Sequence, residues 1–182
     1  MKNDFDVRRL NVMAFARAGG REAGEERLAK FERLLEESQG VGGEYVVRYT
    51  AEGELRPNGA TQESVWLHLS AEMVLPMTCQ RCLGPVDVAV AFEREYRFVA
   101  TEEQAEIEDE QSEEDVLALS RDFNVLELME DELLMELPAV PKHETCPEPV
   151  KFQVADADFE EEPTEKPNPF AVLGQLKKKN LS

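Results

Sequence analysis

The sequence predicts an α+β fold in which an antiparallel β-sheet of long strands has one face covered by helices. Three stretches with two-residue periodicity, two amphipathic segments at helical spacing, and a 182-residue chain with 42% hydrophobic content carry that reading. The length suits one domain with a real core better than two small ones. The expected division is a single α+β domain over residues 1–158, containing a flexible acidic loop at 101–115, followed by an acidic linker and short basic helix or tail over 159–182.

The elements follow in chain order. "VMAFARAGG" reads as a short helical turn. From Glu22 to Glu37, "EAGEERLAKFERLLEE" places Leu28, Phe31, Leu34 and Leu35 at helical spacing, and Gly40, Gly42 and Gly43 end the pattern, which predicts an amphipathic helix. "EYVVRYTA" (Glu44–Ala51) is rich in β-formers. Val65, Leu67, Leu69, Ala71, Met73 and Leu75 then occupy alternate positions, as do Val86, Val88, Val90, Phe92, Tyr96 and Phe98. Alternation of that length means strands with one buried and one wet face. Glu102–Asp115 holds nine acidic residues in fourteen, too little apolar surface to offset its ordering entropy, so a disordered loop is expected. "VLALS" (Val116–Ser120) reads as one more strand. Asn124 with Glu127 resembles a capping box opening a helix through "VLELMEDELLMELP", which Pro138 stops. In the tail, Asn168 as N-cap and Pro169 at the first helical position precede Phe170, Leu173 and Leu176 on one face, with Lys177, Lys178 and Lys179 at the helix end.

Charge restricts the partners. The formal net charge is −19, and residues 100–165 alone carry 23 of the 39 acidic residues but only 3 of the 20 basic ones. A uniformly acidic chain would be repelled by nucleic acid; here the acidity is confined to one block and the last residues are basic. No apolar run is long enough to span a bilayer, and the N-terminus lacks a secretory h-region, which together predict a cytoplasmic protein with no membrane contact. Three cysteines fit a reducing compartment better than a disulfide framework.

"TCQRCLGPV" (Thr78–Val86) puts Cys79 and Cys82 at the bend between two long strands. Gly84, Pro85 and then a strand follow, which is not the helix N-terminus that activates a thioredoxin-type thiol. "VPKHETCPEP" offers His143 and Cys146, again two residues apart. Cys79, Cys82, His143 and Cys146 make a Cys₃His set suited to a structural zinc. Three readings stay open at this point: a zinc site, a metal-free turn, and a thiol redox pair.

Enzyme chemistry finds little support, since there is no phosphate-cradling glycine loop, no nucleophile elbow, and no histidine near a nucleophile. A metal-dependent hydrolase has the weakest basis, because four protein ligands leave the metal no open position. Glu130, Asp131 and Glu132 read as a solvated helix face rather than an acid–base or divalent-ion site. Trp66 and His68 lie opposite the Leu67 and Leu69 row, with Arg48, Arg94 and Arg97 on strands that can be neighbours. Such a face either stacks RNA bases or packs its tryptophan; packing is the expectation. Trp66 and Arg81 are therefore weak binding candidates.

Read together, "CQRCLGPV", "LMEDELLMELPAVPKHETC" and "EKPNPFAVLGQLKKK" resemble, in order and spacing, the bacterial YceD family, the large ribosomal RNA subunit accumulation proteins. The resemblance implies a cytoplasmic, non-catalytic factor needed for synthesis, processing or stability of 23S ribosomal RNA and hence for large-subunit biogenesis, with no small-molecule substrate. It implies as partners the 23S precursor or large-subunit assembly proteins, and makes Lys166, Asn168, Pro169, Phe170, Lys177, Lys178 and Lys179 candidate RNA- or partner-binding residues. Related chains carry more cysteines after the element matching Leu137–Pro141, which supports zinc, although this sequence lacks the additional ones. The alternative reading is an acidic adaptor that holds a basic ribosomal protein or a ribonuclease without touching RNA.

Overall fold

A computed structural model describes residues 5–59 and 62–147 of the chain. Five strands form one sheet in the order β1-β2-β3-β4-β5: β1 (Arg21–Arg27), β2 (Val46–Asn58), β3 (Gln62–Thr78), β4 (Pro85–Val99) and β5 (Asp115–Ala118). Four helices accompany them: α1 (Val12–Arg17), α2 (Glu32–Glu37), α3 (Glu102–Asp109) and α4 (Val125–Met135). Among the described residues, no helix is long and apolar enough to cross a membrane.

The alternating residues place the core. Leu67, Leu69 and Leu75 of β3 face Tyr96, Arg94 and Val88 of β4 across the antiparallel register, and β2 adds Val47 and Ala51 to the same side. Phe15 of α1, Leu34 of α2, and Met129 and Leu133 of α4 close over this face, and all four are fully buried. The approach of α1 is close. A Cβ on Gly53 of β2 would lie 2.5 Å from the Phe15 ring and 3.0 Å from the Ala16 nitrogen, so only glycine admits the helix there.

Three expectations need correction. The sheet is mixed rather than purely antiparallel, because β5 runs parallel to β4 at Tyr96–Val99. A parallel neighbour requires a crossover, and α3 supplies it. The helix expected over Glu22–Glu37 splits: Arg21–Arg27 is an edge strand paired to β2, and helical structure begins only at Leu28. The helical spacing came entirely from Leu28 onward, and "REAGEER" contributes no large apolar residue. Its Gly24 instead sits opposite Tyr49, whose hydroxyl would lie 2.6 Å from a Cβ placed there.

The third correction concerns the acidic block, expected as a disordered loop. Residues 102–109 form α3. The Thr101 hydroxyl accepts from Gln104 N at 3.2 Å, and Glu102 and Glu103 sit in the first turn, where the helix dipole favours anions. Ala105 packs with Val99 and Val116 on the sheet face opposite the main core, and Glu108 meets Arg97 at 2.6 Å.

The Arg97 guanidinium, aided by Gln104, holds the Glu108 carboxyl below its ordinary value. A depressed carboxyl contributes stability that is present above its unfolded value and lost as pH falls through its lower folded value. Acidification below that folded value is therefore expected to loosen α3, and Arg97→Ala should return Glu108 to an ordinary titration. Carboxyl NMR shifts across pH 2–6 check this; an unchanged Glu108 midpoint in Arg97→Ala would refute it.

Candidate metal centre

The β3–β4 hairpin narrows to a knuckle. Past the Thr78–Pro85 pair, Cys79 N donates to Gly84 O at 2.8 Å and Leu83 N donates to Cys79 O at 2.8 Å, which closes a turn with Leu83 at φ 59°. The stretch after α4 comes to meet it: Gln80 N donates to Pro141 O at 2.9 Å. That bond places His143 and Cys146 against the turn.

Sγ of Cys79, Cys82 and Cys146 and a ring nitrogen of His143 all lie within 4.8 Å of one another. Cys82 Sγ stands 3.4 Å from His143 Nδ1, and Cys79 is wholly buried. None of the cysteines forms a disulfide. Burial pushes the Cys79 thiol up, but backbone amides of Cys82, His143 and Arg81 converge on its sulfur with the Cys82 thiol, and the balance brings it down to about 5. Cys146 moves the other way: burial and the neighbouring Cys82 and Cys79 sulfurs push it up. One stabilised thiolate thus makes the next harder to form, a conflict that a dication at the centre relieves.

The donor set fits zinc. Soft thiolates with one imidazole favour Zn²⁺, and bonds of about 2.3 Å in a tetrahedron put sulfurs about 3.8 Å apart, within reach of the separation seen. Four protein ligands would fill the coordination shell, an arrangement that holds structure and offers no position for substrate.

Other sites anticipated from sequence fall differently. Trp66 is 8% exposed, its Nε1 donates to Ser64 Oγ at 2.8 Å, and the Arg56 guanidinium lies 4.3 Å from the ring centre. Its face is therefore occupied. The arginines around it are also engaged: Arg21 with Glu52, Arg48 with Glu25, Arg56 with Glu54 and Glu95, and Arg97 with Glu108. Arg94 belongs to the core face and pairs with Glu132 of α4 at 2.7 Å. Arg81 is exposed on the knuckle, and no ion pair to it occurs among the described residues. Lys166, Asn168, Pro169, Phe170, Lys177, Lys178 and Lys179 lie outside the described residues.

The α4 carboxylates are not the solvated row expected. Of Glu130, Asp131 and Glu132, the first and last are buried and Asp131 alone is exposed. Glu130 accepts from Arg33 N at 2.9 Å and Leu34 N at 3.3 Å, and pairs with the Arg33 guanidinium. Burial and the Glu132 carboxylate push the Tyr96 phenol far above its ordinary range. These carboxylates serve structural ion pairs whose partners, Arg33 and Arg94, lie outside α4.

A family model described as "Large ribosomal RNA subunit accumulation protein YceD" matches residues 67–177, a span that contains all four candidate ligand residues. The large ribosomal RNA subunit accumulation protein YceD of Haemophilus influenzae is 34% identical over 120 residues, covering 65% of this chain and 68% of that protein. No solved structure gives a significant match.

Proposed function

The chain belongs to the YceD family, and from that premise we propose that it is a non-catalytic binding factor in the accumulation of large-subunit ribosomal RNA, with one structural zinc held by Cys79, Cys82, His143 and Cys146. The convergence of these four side chains within 4.8 Å, from two segments on either side of α4, is the observation that supports the metal most strongly. The zinc would pin the hairpin knuckle to the post-α4 stretch and present Arg81 at the surface.

In this reading the 23S precursor or large-subunit assembly proteins are met in the cytoplasm by the knuckle and by the basic tail, through Lys166, Asn168, Pro169, Phe170 and Lys177–Lys179. The outer sheet face is a poor RNA platform: Arg21, Arg48, Arg56 and Arg97 are already paired with carboxylates, and Arg27 is its one exposed arginine without an ion pair among the described residues. Removing the protein from cells is expected to lower 23S relative to 16S ribosomal RNA, with recovery from a wild-type copy, and the protein should co-sediment with large-subunit precursors. Equal 23S and 16S levels without it would sink the ribosomal reading.

A second reading, an acidic adaptor that holds a basic protein and does not touch RNA, is favoured by the ion pairing just described. Retention of basic ribosomal proteins without precursor RNA would select it.

A further inference from the structure

The two edges of the sheet are built differently. β1 closes one side with a short strand whose inward positions include Glu22 and Glu26, and inward charge is a common protection against further pairing. β4 closes the other side only in part, since β5 covers it from Tyr96 to Val99 and no further. From Val86 to Arg94 no strand, turn or side chain among the described residues bonds the backbone on the side away from β3. In an antiparallel pair every second residue turns both N–H and C=O away from its partner, so this stretch offers a ladder roughly 30 Å long.

Few of the usual defences interrupt it: the one inward charge is Arg94, held by Glu132 at the far end of the stretch. The inward residues Val86, Val88, Val90 and Phe92 are apolar, and no proline falls between Val86 and Arg94. The outward residues are Asp87, Ala89, Ala91 and Glu93: two small side chains that let another chain approach, between two carboxylates. No lysine or arginine pairs with either carboxylate among the described residues; Glu93 has only the His68 ring, at 3.1 Å. A shallow concavity of about 800 Å³ on the same face reaches Ala91 and Glu93 and gives a long side chain room to lie.

We propose that the β4 edge from Val86 to Arg94 is a strand-addition site for an extended protein segment bearing lysine or arginine at alternate positions. Backbone pairing would supply the affinity and Asp87 and Glu93 the preference for cations. A second copy of this chain does not suit the edge. Antiparallel pairing of two copies about Ala91 sets Asp87 of one opposite Glu95 of the other, twice, and facing like charges are unfavourable. RNA does not suit it either, because the exposed charges from Val86 to Glu93 are both carboxylates, Asp87 and Glu93.

The inference is independent of the ribosomal assignment, so either can fail while the other stands. The test uses the full chain and a synthetic ten-residue peptide of alternating lysine and valine, followed by fluorescence anisotropy and amide hydrogen exchange. Binding should slow exchange across Val86–Arg94 by about tenfold or more. Asp87→Lys with Glu93→Lys, both exposed and so harmless to folding, should weaken binding by about tenfold or more. The same peptide N-methylated at alternate amides, with its charge intact, should fail to protect these amides. The proposal is overturned if the peptide does not bind, if it protects α3 instead of β4, or if the N-methylated or a glutamate-for-lysine peptide protects equally. Protection by an RNA oligomer, or by dimerisation of the chain alone, would overturn it as well.

Discussion

Serine in place of Cys79 is expected to reduce bound zinc from about one ion per chain to near none, because a buried alcohol is a poor ligand where a thiolate is required. Cys79 is the deepest of the four donors and the one on which backbone amides converge. With it gone, Cys82, His143 and Cys146 are left as three ligands around a cavity in which a hydroxyl must be buried. The damage should stay local. A free-standing finger loses on the order of 10 kcal/mol with its metal, whereas this sheet has its own core of Leu67, Leu69, Met129 and Leu133. We expect faster amide exchange at 79–84 and 141–146 with the sheet intact, and the same pattern when a chelator is added to the wild type. Metal analysis together with hydrogen exchange decides the matter. Purified protein that holds no zinc, or a Cys79→Ser chain that keeps it, would rule out the ligand set.

Loss of Glu130 should have the largest effect on stability away from the metal centre. Helix α2 has Phe31 at its N-cap position and no side-chain cap of its own. Arg33 N and Leu34 N, the second and third amides of the helix, donate instead to Glu130 of α4. A side chain accepting from these positions is what an N-cap residue does; here it arrives from 97 residues away. Glu130→Ala removes the cap and leaves buried amides without an acceptor, at a cost of about 2–4 kcal/mol. For a chain of this size that is a fall in Tm of roughly 5–15 °C. Glu130→Gln keeps an oxygen for the amides and should lose about half as much. Asp131→Ala, at an exposed ion pair, should stay within about 0.5 kcal/mol of wild type. Urea unfolding of the three variants tests the ranking, and a Glu130→Ala midpoint equal to that of Asp131→Ala would exclude the capping role.

The strands and the Cys₃His cluster are the most legible parts of the sequence. A residue such as Leu69 advertises its buried face through neighbours two positions away, and Cys79 and Cys82 mark a turn by their own spacing. The features that escaped depend on partners remote in sequence. Nothing within "REAGEER" indicates pairing with β2; that follows from the outer edge of Val46–Glu52. Glu130 looks solvated until Arg33 is brought beside it, and Trp66 looks open until Arg56 lies over it. The order of the acidic block is hidden for another reason. Composition counts its charges but not their positions, and Thr101, Glu102 and Glu103 are placed where a helix start uses them. The parallel β5 was hidden because alternation reveals a strand without its direction.

Cys82 and His143 lie 61 residues apart, with β4, α3, β5 and α4 between them. During synthesis at about 5–20 residues per second, the first two thiols leave the ribosome some 3–12 s before the last two donors. On the zinc reading, the hairpin would until then offer two of the four donors, Cys79 and Cys82. On that reading the metal would therefore be held by all four donors only after β4, α3, β5 and α4 have been made.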